Sequence, residues 1–416
     1  MSSSRLELEK RRIPLAEIIR ATKHFSSEKL IGDGGFDMVY SGQLSEQWKN
    51  RLVAIKRLNP NGCQGDVEFN NEVKMVSNFN HPNIIPFVGY YDDANEKIVV
   101  YKNLDHHLQG KNKRLHLTWE QRLKICLGAA RGIKYLHFGV GEHRRVIHRD
   151  VKSANILLDD NMEAKICDFG LSRLSPRNQP DTHVRTRAAG TWFYMDPIYN
   201  ERGMLSKESD IYSFGVVMFE MSSGILAYNT RHFKDTKQQS LIHIVRSYYD
   251  DNKFVDGVDK LIDSAIKGQI KMSSFHKFND IAHECINFDI KKRPTRDRII
   301  EAIQEALRIQ VGHLAFIYVV ICVGSRRGLD VHGNSSITFG RRKMETKNVY
   351  LQRPKARETW EENYVFPYRR MDGWMEIKLG EFEYKQGDYG EVEMAFKEVK
   401  CWKTGVIVEG MEIRTK

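Results

Sequence analysis

His148-Arg149-Asp150-Val151-Lys152-Ser153-Ala154-Asn155, followed after a short apolar run by Asp168-Phe169-Gly170, is the stretch on which the reading of this chain turns. It sets three oxygen-bearing side chains at a spacing suited to phosphoryl transfer: Asp150 to orient an attacking hydroxyl, Asn155 and Asp168 to hold Mg²⁺. Either tripeptide alone recurs by chance. With Asn155 five residues after Asp150, and Asp168 twenty after His148, they point to one chemical site. Lys152, two residues beyond Asp150, is placed to neutralise charge on a transferred phosphoryl group.

Upstream, Ile31-Gly32-Asp33-Gly34-Gly35-Phe36-Asp37-Met38-Val39 is glycine-rich. Gly32 and Gly34 would let the backbone approach ATP phosphates, with Ile31 and Val39 covering the adenine. Val53-Ala54-Ile55-Lys56 then puts a lysine on the next strand, for the α- and β-phosphates. Glu72, sixteen residues later on a helical pattern, is the expected ion-pair partner of Lys56. Singly these are turn glycines, an edge lysine and a solvated glutamate. Together they imply ATP and Mg²⁺ as cofactors. Cys167 reads as a packed small apolar residue, not a reactive thiol.

A chain of 416 residues is long for one core, so two domains are expected. The net charge of +11 could mark a polyanion partner or basic residues facing phosphate. Acids interleave the bases throughout, so nucleic acid is not expected as a partner. Six dispersed cysteines form no Cys-x-x-Cys pair, which argues against a disulfide framework or zinc site. Charges occupy the start where a signal peptide needs an apolar core, and Ser2 stands where N-myristoylation needs glycine. The most apolar run, Leu314 to Val323, is half a bilayer span and reads as a buried strand. A cytoplasmic protein without a transmembrane segment is expected, at most peripheral at the plasma membrane.

Periodicity predicts a lead-in helix over 12–29, strands over 52–58 and 97–101, and a helix from Val67 to Phe79 between them. Long helices follow at 119–137, 208–224, 275–288 and 296–309. Beyond Gln310 the segments 314–323, 347–352, 374–379, 391–399 and 405–413 read as strands separated by turn signals. The expected division is 1–29 lead-in, 30–310 first domain and 311–416 β-rich domain.

On these motifs residues 12–308 resemble a eukaryotic protein kinase, specifically a plant receptor-like cytoplasmic kinase. Ile13-Pro14-Leu15-Ala16-Glu17-Ile18 with Ala21-Thr22-Lys23-His24-Phe25 is typical of that group's lead-in, and His81-Pro82-Asn83-Ile84 and Lys292-Arg293-Pro294-Thr295 extend the match. The resemblance implies an α+β class: a bilobal kinase fold with a small β-rich N-lobe and a helical C-lobe, then a mainly antiparallel β domain. It implies Tyr101 as gatekeeper, Lys102-Asn103-Leu104 as the hinge holding adenine, and Ala54 and Leu157 at the nucleotide. Lys152 in His-Arg-Asp-Val-Lys implies serine/threonine specificity and protein substrates, with an upstream receptor kinase as a further partner. Arg149 would pair with a phosphorylated loop residue, with Thr182, Thr186 and Thr191 as candidates, Thr191 being read instead as a contact of the catalytic loop. Asp210 would tie down that loop's backbone.

The tail, through Asp372-Gly373-Trp374-Met375-Glu376-Ile377-Lys378-Leu379-Gly380-Glu381-Phe382 and Trp402-Lys403-Thr404-Gly405, resembles the phloem-lectin (Nictaba-like) family. That implies weak glycan or protein binding, with Trp374 either a sugar platform or a core residue. Three kinase positions depart from pattern. Asp37 replaces the third loop glycine and would repel phosphate. Ile198 replaces the Glu that pairs with a buried Arg, here Arg293, so Arg293 is expected to lose its partner unless it finds another acceptor. Phe193 stands where this group has Gly. A scaffold without phosphoryl transfer is the alternative function, and a carbohydrate-binding protein the third.

Overall fold

The computed structural model describes residues 7–33, 37–59, 65–93, 95–102, 106–107, 117–138, 144–176, 184–228, 240–250 and 258–311. Of the remainder it describes strands within 313–415. The chain divides into two compact units, Met1–Leu307 and Arg308–Lys416.

In the first unit the lead-in is shorter than its pattern suggests. Helix α1 spans only Leu15–Ala21. Lys23, His24 and Phe25 then take positive φ, which ends the helix before the strands begin. Ahead of it, Ile13 N donates to Tyr90 O at 2.8 Å and Tyr90 N to Arg11 O at 3.1 Å. That close approach needs Gly89, where a Cβ would lie 2.4 Å from Arg11 O.

Strands β1 (Leu30–Asp33), β2 (Asp37–Gln43), β3 (Leu52–Leu58), β4 (Phe87–Asp92) and β5 (Lys97–Lys102) form one antiparallel sheet in the order β1-β2-β3-β5-β4. The alternation in β3 buries Val53 and Ile55 on one face, while Leu58 packs from the other face into the main core. Ile13 and Ile18 cover Val53, Ile55, Ile98 and Val100 in one cluster, so the lead-in segment is the sheet's outer layer. Helix α2 (Gly65–Val76) carries Phe69, Val73 and Val76 into the main core with the second lobe.

That lobe is helical, as expected. It contains α3 (Trp119–Phe138), α4 (Pro197–Arg202), α5 (Lys207–Ser223), α6 (Leu241–Asp250), α7 (Met272–Cys285) and α8 (Arg296–Val311). α4 and α6 are not among the helices predicted from the sequence, although α6 is amphipathic. Every residue from Ser209 to Ser223 is buried, because α5 carries apolar side chains around its circumference and sits at the lobe's centre, with its polar residues buried among them. Short strands hold the functional loops: β6 (His106–His107), β8 (Ile156–Leu158) and β9 (Ala164–Ile166) form one ribbon, and β7 (Arg144–Ile147) pairs with β10 (Arg173–Pro176). β11 (Val184–Arg185) pairs with β12 (Met204–Leu205).

In the second unit β13 (His313–Arg327) contains the apolar run Leu314 to Val323 and pairs antiparallel with two strands of its sheet. A second sheet centres on Gly333–Phe339 and Arg342–Val349, the former not foreseen from the pattern. Trp374 lies outside the described residues. Among the described residues no helix is long and apolar enough to cross a membrane.

Candidate active site

Lys56 on β3 stands at the centre of a carboxylate cage. Its Nζ lies 3.0 Å from Glu72 Oε2, 2.7 Å from Asp168 Oδ1 and 3.2 Å from Asp37 Oδ2. Burial alone would lower the ammonium, but Asp168, Glu72 and Asp37 outweigh it and hold Lys56 well above the usual lysine range. Glu72 is 1% exposed, and burial raises its carboxyl despite the pull of Lys56. Asp168 resists its own desolvation because Lys56 stabilises its charged form, and it ends below the usual range. Tyr101 is buried, and its hydroxyl donates to Glu72 Oε1 at 2.5 Å. Tyr101 therefore positions the glutamate, a role its sequence context did not signal.

Asp37 thus differs from its sequence reading in one respect. Its charge, expected to repel phosphate, is engaged by Lys56 at 3.2 Å. A nucleotide whose phosphates engage Lys56 would have to draw it away from Asp37. We expect Asp37→Gly to tighten binding of Mg-nucleotide by about fivefold, close to 1 kcal/mol. Titration calorimetry checks this, and unchanged or weaker affinity would rule it out.

Val39 lies opposite Lys56 in the β2–β3 register and Ala54 opposite Tyr101 in β3–β5, which puts both on the sheet face of Lys56. Ile31 is exposed on β1, and Leu157 is half-buried on β8. A side chain at Gly32 would meet nothing closer than Val39 at 3.5 Å, so protein packing does not demand glycine there. Gly34, Asn103, Leu104 and Thr182 lie outside the described residues.

The segment 148–155 folds into a tight loop. Asp210, the fourth residue of α5, accepts the amide N–H groups of His148 and Arg149 at 2.8 Å each, and meets His137 Nε2 at 2.7 Å. This holds Arg149 at φ 77°, a conformation that costs about 1–3 kcal/mol if unsupported. His148 Nε2 lies 3.0 Å from Cys167 O and so carries the proton, while Nδ1 accepts from Asp150 N. Burial pushes the Cys167 thiol up, which fits a packing role.

Asp150 Oδ1 accepts from Thr191 N and Oγ1, both at 2.8 Å. Its Oδ2 lies 2.8 Å from Lys152 Nζ and 3.2 Å from Asn155 Nδ2. Lys152 Nζ also donates to Thr191 Oγ1 at 3.0 Å. Thr191 therefore joins the catalytic loop, with Gly190 at φ 128° making the approach. Arg149 reaches Thr186 Oγ1 at 3.3 Å and Tyr199 Oη at 2.6 Å, and it bonds the Arg187 carbonyl.

Phe169 is fully buried, with ring centroids 4.9 Å from Phe79 and 5.0 Å from His148. Asn71, beside Glu72 on α2, donates to the carbonyls of Phe169, Gly170 and Ser172. Nothing in one sequence singles Asn71 out. Its effect is to couple the helix carrying Glu72 to the segment carrying Asp168.

The expectation that Arg293 loses its partner is corrected here. Asp196 replaces the missing glutamate with a two-pronged pair, 2.8 Å on each arm, and both side chains are fully buried. Arg293 also donates to Asn287 O and Glu208 O, so its charge is met on every side.

Glu220 was not singled out from the sequence. Its Oε1 accepts from Tyr194 Oη and Ala227 N at 2.7 Å, and Tyr194 Oη also meets Ser153 Oγ at 3.2 Å. Burial raises its carboxyl from near 4.5 to about 7. Below pH 4.5 it is protonated folded or unfolded. Between there and about 7 only the folded state keeps the proton, so stability falls as pH rises. From pH 5.5 to 7.5 that amounts to about 2 kcal/mol, or roughly 4–8 °C in melting temperature. Glu220→Gln should abolish this loss, as thermal melts across that range will show. Parallel curves for the two proteins would exclude it.

Asn155 and Asp168 suit a Mg²⁺ site that also uses substrate oxygens. Asn155 commits its amide nitrogen to Asp150 O at 2.8 Å, leaving the amide oxygen as ligand atom. No group of three or more His, Cys, Asp or Glu side chains poised to hold a metal occurs among the described residues. A Mg²⁺ held through one or two protein oxygens and phosphate needs none.

Residues 25–307 match the family model for the protein kinase domain, and residues 309–415 that for phloem protein 2. Receptor-like protein kinase HERK 1 of Arabidopsis thaliana is 39% identical over 304 residues, covering 72% of this chain and 35% of that protein. Receptor-like protein kinases ANXUR1 and ANXUR2 of the same plant are each 37% identical, covering 80% and 79% of this chain and 37% and 36% of theirs. The chain spans about a third of the length of these relatives.

Proposed function

This chain belongs to the protein kinase family, and from that premise we propose that it transfers the γ-phosphoryl group of ATP to serine and threonine hydroxyls of proteins, in intracellular signalling. The observation that carries the proposal is the simultaneous presence of the Lys56–Glu72 pair, Asp168 beside it, and Asp150 with Lys152 and Thr191. A kinase needs the first two in place together before it can act.

In this reading Lys56 orients the α- and β-phosphates, and Asn155 and Asp168 hold Mg²⁺. Held by these two residues, the metal would supply neutralisation of phosphate charge. Asp150 orients the substrate hydroxyl and receives its proton, while Lys152 meets the charge that develops on the transferred group. The Lys152–Thr191 bond ties that site to the activation segment and supports a hydroxyl substrate. Arg149, 3.3 Å from Thr186 Oγ1, is proposed to receive a phosphate added there by an upstream receptor kinase. A cytoplasmic enzyme, at most peripheral at the plasma membrane, fits this role. The phloem protein 2 unit is proposed as a binding module for a glycan or protein.

The test is incubation of the full chain with Mg-ATP and a protein substrate, followed by phosphoamino-acid analysis. Phosphoserine or phosphothreonine is expected. Nucleotide binding without any phosphate transfer would overturn the proposal.

A further inference from the structure

A cavity of about 510 Å³ lies in the helical lobe and includes none of Lys56, Asp150 or Asp168. Its size falls within the roughly 300–1,000 Å³ typical of ligand sites. Arg145, Arg202, Lys207, Lys291 and Arg296 line it, against two carboxylates, Glu208 and Asp289. Glu208 lies 3.6 Å from Lys207, and Asp289 Oδ1 is spent on the backbone N–H of Lys291. Arg202, Lys291 and Arg296 form no ion pair among the described residues.

Two long helices start at its wall: α5, at Ser206-Lys207, and α8, at Thr295-Arg296. Each brings the positive end of its dipole. Burial holds the Arg296 guanidinium below the usual arginine range, with Arg145 adding to this against the pull of Glu208 and Asp297. An anion would relieve both effects. The departure at Ile198 acts in the same direction. With isoleucine there and Arg293 satisfied by Asp196, the wall carries one negative charge fewer than the family pattern would place there.

The cavity is not simply a polyanion trap. Ile198, Met204, Ile290 and Phe288 give it an apolar shelf, and Phe288 is 56% exposed with the Arg246 guanidinium 3.7 Å over its ring. We propose that this cavity docks a phosphorylated serine or threonine of a partner protein together with a bulky apolar residue beside it. Arginines would take the phosphate through paired N–H donors, and the shelf would take the apolar side chain. A free inositol polyphosphate would leave that shelf uncovered.

The experiment uses the full chain and a fluorescein-labelled short peptide carrying phosphoserine followed by phenylalanine, read by fluorescence polarisation under saturating Mg-ADP. It does not require phosphoryl transfer, so it stands or falls separately from the proposed activity. The phosphopeptide should bind at least about tenfold more tightly than its unphosphorylated twin, and glycine in place of phenylalanine should weaken it severalfold. Arg202→Glu with Lys291→Glu, both at exposed positions, should remove the preference for phosphate. Ile198→Glu should weaken binding without altering those cations, which keeps the test decisive should the double variant fail to fold. Equal binding of the two peptides, or binding indifferent to these substitutions, would overturn the proposal. So would inositol hexakisphosphate competing as tightly while the phenylalanine makes no difference.

Discussion

Asp150→Asn is expected to lower phosphate transfer by about 10²–10⁴-fold while leaving Mg-nucleotide affinity within about twofold. The carboxylate is the acceptor for four donors: Thr191 N, Thr191 Oγ1, Lys152 Nζ and Asn155 Nδ2. Asparagine keeps one oxygen for Thr191, so the loop retains part of its anchoring. The new amide group faces the Lys152 ammonium and the Asn155 amide, setting donor against donor, and it cannot receive a proton. Lys56, Glu72 and Asp168 are untouched, which is why nucleotide affinity should hold. Phosphate incorporation measured beside nucleotide titration separates these effects. Retention of more than about a tenth of the activity would show that Asp150 is not the acceptor in the reaction.

The second large effect concerns stability. Asp196→Ala should destabilise the first unit by about 3–5 kcal/mol, because it leaves the fully buried Arg293 without its carboxylate. The same substitution removes the side chain that accepts from Ile198 N at the start of α4. In a domain of this size the loss corresponds to a fall in melting temperature of roughly 6–20 °C. Combining it with Arg293→Met should recover much of that loss, since a buried pair replaced by apolar groups is often neutral. Thermal melts of the two single variants and the double variant complete the cycle. A shift below about 2 °C for Asp196→Ala would mean that water or another acceptor serves Arg293.

How much of this was legible beforehand depends on how local the information is. The loop 148–155, the lysine on β3 and the glutamate on α2 were readable because their residue types and spacings match the protein kinase pattern. The lead-in helix was overextended, since periodicity does not register the positive φ at Lys23, His24 and Phe25. α4 is a single turn and a half set by Asp196 and Pro197, too short to carry a periodic signal. Asn71 and Glu220 were invisible because their side-chain environments are assembled by tertiary folding, Glu220 meeting both Tyr194 and the turn at Ala227. Asn71 reaches residues about a hundred positions away, and nothing in its own neighbourhood records that.

The sequence by itself determined the family and named the residues proposed to bind phosphate, hold a metal and take a proton. Only the tertiary structure decided how the departures from pattern are resolved. Asp37 and Lys56 lie on neighbouring strands, where register brings their charges to 3.2 Å. Asp196 and Arg293 are 97 residues apart and meet only because α4 folds against the entry to α8. A buried charge is satisfied by distance and direction, and neither is written in sequence separation.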